Sequence, residues 1–262
     1  MIVLNGIFEQ NFNFNFGTVI TIGNFDGVHA GHRFLLKKTS ELAKKLNAKS
    51  LVFSFWPNTK KILFDNEFKS IFERDERRLV LKKLAIDYLF EFGFDYEKKN
   101  IKSRDFLEML IKKFNCVGLV LGEDFKFGCD DSKKILCEYK NLNVIVIKKK
   151  LNVSSSKIRN LILEKNFDVA KKLMCGNYFV YKNNVKMVGI KIIFFVDENK
   201  LLPPDGIYKT KILINGKIFD AATEIIEKRK ICCEVFCCDL DKKLSLLELF
   251  FRFFITVDKK LF

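Results

Sequence analysis

The chain has no apolar run approaching the ~18–20 residues needed to cross a bilayer, which excludes a helical membrane span. It also lacks a charged n-region followed by a small-residue cleavage site at its start, so no secretory leader is read. A cytoplasmic protein is expected. Histidine is almost missing: only His29 and His32 occur in 262 residues, so a histidine-rich metal centre is excluded. Eight cysteines are present, but none form a C-x-x-C pair. The adjacent pairs Cys232-Cys233 and Cys237-Cys238 would point to opposite faces of a strand. Neither zinc ligation nor a disulfide framework is expected of them. Cys116, Cys129, Cys137 and Cys175 read as small apolar fillers or reduced thiols. Acidic residues are the minority charge, 32 against 47 basic, leaving a net charge of +15. That balance favours polyanionic partners, phosphorylated small molecules among them. The lysines, however, are scattered as pairs at helical spacing, and only Lys148-Lys149-Lys150 makes a longer run. They read as solvated faces, and nucleic acid is not expected as a partner.

What is present begins with an apolar run, Gly17-Thr18-Val19-Ile20, that reads as a short buried strand. It runs into Thr21-Ile22-Gly23-Asn24-Phe25-Asp26-Gly27-Val28-His29-Ala30-Gly31-His32. A strand that breaks at a glycine, turns through Asp26-Gly27 and enters a helix brings backbone N–H groups up to a phosphate. Both histidines stand at the start of that helix with Gly31 between them. A nucleotide-handling site follows from this arrangement.

Strand and helix signals alternate from there. Phe34, Leu35, Leu42 and Leu46 fall at helical spacing. Strands are read over 48–55, 88–92, 117–121 and 144–147. Helices are read over 74–84, from an N-cap at Ser103 through Lys112, over 132–139, from Ser154-Ser155-Ser156 onward, and over 168–174. The alternating Asn–Phe tract at 11–16 fits strand or loop equally. Such repetition argues for a parallel sheet covered on both faces, with its ligand at the carboxyl rim where strand order reverses. The turn at 23–29, Trp56-Pro57-Asn58, Gly122-Glu123-Asp124 and residues 154–159 each follow a strand, so all four are expected on one crevice. Near Gly176 the texture changes. Strand signals dominate over 186–195, 207–214, 217–219, 231–238 and 250–257. Asn215-Gly216 is a strong hairpin signal, and Pro203-Pro204-Asp205-Gly206 is a turn before a strand. Two domains are expected: 1–176, a Rossmann-like α/β parallel-sheet domain, and 177–262, a small antiparallel β-barrel.

Taken singly, each motif has a plain structural reading. The glycine turn fits a plain strand end, residues 154–159 fit a helix cap with a surface arginine, and Asp124 fits an ordinary loop acid. Three motifs together and in order carry more. Residues 23–32, the block Leu121-Gly122-Glu123-Asp124-Phe125-Lys126-Phe127-Gly128, and Val153-Ser154-Ser155-Ser156-Lys157-Ile158-Arg159 resemble the signatures of the bacterial bifunctional riboflavin kinase/FMN adenylyltransferases, the FAD synthetases. In the last block serine replaces the family's threonine.

The resemblance implies an ATP-dependent nucleotidyltransferase that moves AMP from ATP to FMN, giving FAD and pyrophosphate by direct in-line attack. It implies His29, His32 and Arg159 as catalytic groups. It implies an ATP site of Gly23, Asn24, Phe25, Asp26, Gly27, His29, His32, Ser155, Ser156 and Arg159. Pro57, Asn58 and Asp124 would face the flavin. Mg²⁺ would arrive with the ATP phosphates, without direct protein ligands. Nearby phosphates would raise a histidine pKa and favour the protonated donor. Departures are equally specific. The family's Phe-x-Pro-His-Pro segment is here Phe55-Trp56-Pro57-Asn58-Thr59. The kinase's Pro-Thr-Ala-Asn is absent, with Val185-Lys186-Met187-Val188-Gly189-Ile190-Lys191 in its region, and the sequence ends at Phe262 before the family's final helix. Glu234 alone resembles the kinase's catalytic glutamate, and an exposed strand residue is the favoured reading of it. The second domain is therefore expected to be eroded and without riboflavin kinase activity. The alternatives are a nucleotidyltransferase for another phosphate monoester and a catalytically silent flavin- or nucleic-acid-binding regulator. Nothing in the sequence fixes an oligomeric state.

Overall fold

A computed structural model describes the chain except residues 7–11, 13, 64–66, 131, 149–151, 183–184, 186, 189–190, 215–216, 228, 237–252 and 261–262. It forms two compact units, one of Met1–Phe68 with Arg78–Asn152, the other of Lys69–Arg77 with Val153–Phe262. By compactness the chain therefore divides after Asn152, ahead of the expected change at Gly176. A nine-residue insert from the middle of the first unit's sequence belongs to the second.

The first unit is built on strands β1 (Ile2–Gly6), β2 (Thr18–Gly23), β3 (Lys49–Trp56), β4 (Tyr88–Gly93), β5 (Cys116–Gly122) and β6 (Asn143–Ile147). They pair in parallel in the order β1-β4-β3-β2-β5-β6. Helix α1 (Ala30–Lys45) packs on β2, β3 and β5, and α4 (Ser103–Phe114) packs on β5. The shorter helices α2 (Thr59–Leu63), α3 (Arg74–Lys82) and α5 (Ser132–Glu138) lie between strands in sequence. Central strands are buried on both faces, as the continuous pattern of β2 and β3 shows, and this is why they read as unbroken apolar runs. Strand order advances from β2 through β3 to β4, then returns to the other side of β2 for β5. The reversal lies between β2 and β5.

Phe53, Phe90, Phe92, Phe106, Phe114 and Phe127 fill the core beneath that sheet. From the ambiguous Asn–Phe tract, Phe12 and Phe14 pack against it, neither of them in a strand. Phe12 stacks on Phe114 with ring centroids 5.6 Å apart and meets Phe90 edge-on at 5.1 Å. Offset and edge-on pairs of this kind add about 0.5–1.5 kcal/mol each beyond their area burial. Strand β1 has no counterpart in the sequence reading. It is an edge strand, half exposed, and ends in Asn5-Gly6, a dipeptide that reads as a turn.

Ser103 is corrected from N-cap to first helical residue of α4, the cap position being Lys102. Its amide instead donates to the Asp130 carboxylate at 2.7 Å, and its hydroxyl donates to the Phe127 carbonyl at 2.7 Å. The loop after β5 thus supplies the cap that local sequence does not.

The second unit carries α6 (Ser155–Leu163), α7 (Phe167–Met174) and seven strands: β7 (Phe179–Lys182), β8 (Met187–Val188), β9 (Lys191–Phe195), β10 (Gly206–Ile214), β11 (Lys217–Ile226), β12 (Lys230–Phe236) and β13 (Phe253–Lys260). They form an antiparallel sheet in the order β7-β13-β10-β11-β12-β9-β8. Pairing of Ile214 with Lys217 makes β10 and β11 a hairpin with a two-residue loop. Its turn, Asn215-Gly216, lies outside the described residues, as do Cys237-Cys238, Lys149-Lys150 and Lys186, Gly189 and Ile190. Cys232 and Cys233 behave as strand neighbours. Cys233 is buried, takes a hydrogen bond from Thr223 Oγ1 at 3.2 Å, and its thiol is pushed up to about 12 by that burial. Cys232 is on the opposite, half-exposed face. Glu234 is exposed on β12. No described helix is long and apolar enough to cross a membrane.

Candidate active site

In the first unit the loops after β3, β2 and β5 leave adjacent strands at the carboxyl edge of the sheet, on either side of the strand-order reversal. Ligands of open parallel sheets bind at such a point. Three of the four segments expected to share a crevice are therefore neighbours along one rim: the turn after β2, Pro57-Asn58 after β3, and Asp124 after β5. The fourth, Ser155, Ser156 and Arg159, belongs to the second unit.

The turn after β2 is unusually constrained. Phe25, Gly27 and Val28 all have positive φ, at 51°, 77° and 37°. Glycine adopts this without cost, but a ring-bearing and a β-branched residue do not. Both strained side chains are fully buried, and Asp26 is buried with them. Core packing of Phe25 and Val28 thus offsets the backbone strain, and the turn is held to one shape. Arg33 secures it from α1, its Nε donating to the Val28 carbonyl at 3.2 Å.

His29 is the N-cap of α1. Its Nδ1 accepts from the His32 amide at 3.3 Å, so in this arrangement Nδ1 carries no proton and the ring's N–H is at Nε2. The two imidazoles stack at 3.7 Å with planes 16° apart, and Phe25 lies 5.2 Å from the His32 ring. His32 Nδ1 is buried without a hydrogen-bond partner. Burial first, and the neighbouring His29 second, hold His32 well below its ordinary value of 6.5. Desolvation and a like neighbour govern the ring, and the neutral form is favoured.

A pH dependence follows. A histidine neutral in the fold but protonated in the unfolded chain makes the unfolded state bind more protons. Stability is then intact above about pH 6.5 and declines as pH falls below it. The thermal midpoint should fall between pH 7.5 and pH 5, and His32→Gln should remove part of that fall. An equal decline in the variant would show that other groups carry it.

Asn24 and Asn58 are engaged within the site itself. The Asn24 side chain donates to Thr59 Oγ1 at 2.9 Å and accepts from the Thr59 amide at 3.0 Å. Asn58, buried, accepts from the Lys60 amide at 3.0 Å and so caps α2. Its carbonyl oxygen therefore has a structural duty not foreseen from the sequence. Pro57 is half-buried between β3 and Asn58.

After β5, Phe125 N donates to Gly122 O at 3.0 Å, forming a tight turn that leaves Asp124 exposed at its tip. Phe127 is buried against Phe106 at 5.6 Å. Gly128 has φ 72°, and a Cβ there would run into the Ser103 backbone. The aromatic–glycine end of the block is therefore an anchor onto α4, and Asp124 is the part it presents.

In the second unit Ser154 caps α6, its Oγ accepting from the Lys157 amide at 3.2 Å. Ser155 and Ser156 follow in the first turn of α6. Arg159 is half-buried, its Nε donating to the Lys69 carbonyl at 2.8 Å. Among the described residues no group of three or more His, Cys, Asp or Glu could hold a metal ion.

A parallel sheet with a two-histidine helix start at its order reversal defines a Rossmann-like nucleotidyltransferase, joined here to an antiparallel β unit. The family model for FAD synthetase matches residues 12–160, more than half of the sequence, and the chain belongs to that family. It is similar to the bifunctional riboflavin kinase/FMN adenylyltransferase of Buchnera aphidicola subsp. Schizaphis graminum, 30% identical over 76% of this chain and 69% of the relative. The Escherichia coli K12 protein of the same description is 25% identical over 77% of this chain and 70% of its own. Among solved structures, one described as a macrolide-efflux protein from Streptococcus pneumoniae superposes with a TM-score of 0.82, covering 100% of this chain and 91% of that one. At 21% identity that match speaks for the fold alone.

Proposed function

We propose that the protein is an FMN adenylyltransferase that has lost riboflavin kinase activity. The observation that carries the reading is the row of three loops at the strand-order reversal, with His29 and His32 at the helix start in its centre. The FMN phosphate attacks the α-phosphorus of ATP. A new P–O bond forms, the α–β bridging bond breaks, and pyrophosphate leaves with the electron pair. The attacker is already an anion, so no strong base is required, and positioning with charge stabilisation supplies the rate. His29, its Nδ1 committed to capping, donates from Nε2 to a phosphate oxygen. His32 stacks behind it and does the same once phosphate offsets the desolvation of its ring. Backbone groups of residues 23–27 cradle the phosphates, with Ser155 and Ser156 on the pyrophosphate and Arg159 as its bidentate partner. Pro57, Asn58 and Asp124 face the flavin. Mg²⁺, carried in on ATP, would neutralise phosphate charge, without direct ligands from this chain. Residues 1–176 would form the transferase domain, acting in the cytoplasm, and 177–262 the eroded kinase-like one.

Loss of kinase activity is supported by the missing Pro-Thr-Ala-Asn and by the exposed position of Glu234. Incubation with Mg-ATP and either FMN or riboflavin, with the flavins resolved by chromatography, tests both halves. FAD from FMN and no product from riboflavin are expected. No FAD from FMN would sink the transferase reading, and FMN made from riboflavin would overturn the claim of erosion.

A further inference from the structure

The loop after β2 and the loop after β3 are tied by one residue pair, Asn24 and Thr59. Two hydrogen bonds of opposite direction join them, Asn24 Nδ2 to Thr59 Oγ1 at 2.9 Å and Thr59 N to Asn24 Oδ1 at 3.0 Å. A single bond leaves an amide free to swing, whereas two fix its plane. The pair sits between two further restraints. Ser54 Oγ on β3 reaches the Asn24 carbonyl at 3.5 Å, and the buried Asn58 caps the helix that Thr59 begins. Thr59 occupies the first position of that helix, whose N–H has no partner within the helix. Asn24, from a different strand end, supplies the acceptor. Thr59 stands where the resembled pattern has its second proline, which has neither an N–H nor a hydroxyl to offer. This chain therefore replaces a rigid residue with a polar clasp.

We propose that Thr59 is a positioning residue for adenylyl transfer, acting through Asn24 to hold the acceptor-side loop in register with the phosphate turn. The inference rests on the transferase reading above. In-line attack requires the acceptor oxygen and the α-phosphorus to be aligned, and misplacement by about 1 Å can cost on the order of 10²-fold in rate. The clasp links the two loops whose ligands must meet, and Thr59 acts on the phosphate turn only through Asn24. Its loss should therefore lower kcat with little change in KM.

The test compares wild type, Thr59→Val, Thr59→Ser, Asn24→Ala and the Asn24→Ala/Thr59→Val double variant, all as full chains. Initial rates of FAD formation give kcat and both KM values, and thermal midpoints are recorded alongside. Thr59→Val should lose about 10-fold in kcat with both KM values within about 2-fold, and Thr59→Ser should recover most of it. With Asn24 already replaced, Thr59→Val should cost nothing more, because residues acting as a pair are not additive. Independent, multiplying losses in the double variant would overturn the clasp. So would a Thr59→Val effect confined to the thermal midpoint. A wild type that makes no FAD at all would remove the transferase reading first, and the positioning role with it.

Discussion

His29→Ala should lower FAD formation by about 10²–10³-fold, the cost of removing one preorganised donor at developing phosphoryl charge. The same change removes the N-cap of α1, because His29 Nδ1 accepts from the His32 amide. A loss of about 1 kcal/mol in stability should accompany it. The two effects separate in His29→Asn. Asparagine is among the best N-caps and restores the acceptor, but it is too short to place a donor where Nε2 reaches. Stability should return and turnover should not. Rates and thermal midpoints of both variants decide the matter, and a His29→Asn protein turning over like wild type would take the imidazole out of the chemistry.

The largest expected loss of stability lies in the second unit. Lys200 and Glu76 are both buried, with Nζ and Oε2 2.5 Å apart. Lys200 also donates to the carbonyls of Ile71 at 2.7 Å and Phe179 at 3.1 Å, and its ammonium lies over the rings of Tyr178 at 4.7 Å and Phe72 at 5.4 Å. Glu76 accepts from the Tyr181 amide and from the Glu73 amide, each at 2.8 Å. The second of these bonds closes the start of α3 in the manner of a capping box. Every polar atom of the pair has work, so removing one partner leaves a charge with nowhere to go. Lys200→Met should cost about 3–5 kcal/mol, since a buried carboxylate is stranded. Lys200→Met with Glu76→Gln should recover part of that, because the charge is gone while the glutamine oxygen keeps an acceptor for one of the two amides. Urea unfolding of the three proteins measures both steps. A loss below about 1 kcal/mol for Lys200→Met would mean that Glu76 finds another partner or water.

Much of the first unit was legible because its signals are local. The apolar runs behind β2, β3 and β5 mark strands buried on both faces. The Gly23–Gly27 turn and the Gly122–Gly128 block carry their own glycines, and Gly128 is there because Ser103 leaves no room for a Cβ. What escaped is what depends on distant partners. Asp130 reaches back 27 residues to the start of α4, so Ser103 looked like the cap it is not. The edge strand β1 has no burial pattern to betray it. The neutral state of His32 comes from packing that no spacing reveals. That Asn24 would spend its amide on Thr59 could not be read from either stretch alone, and so the site's internal bracing was invisible.

The membership of Lys69–Arg77 in the second unit bears on how such a chain can shed parts. A fragment cut at Asn152 would keep these nine residues but lose the unit they complete. A fragment beginning at Val153 would lack them, and with them Glu76 and the carbonyls of Lys69 and Ile71 that hold Arg159 and Lys200. Neither half is a clean module. A chain built this way would then lose an activity of its second unit by substitution far more readily than by deletion.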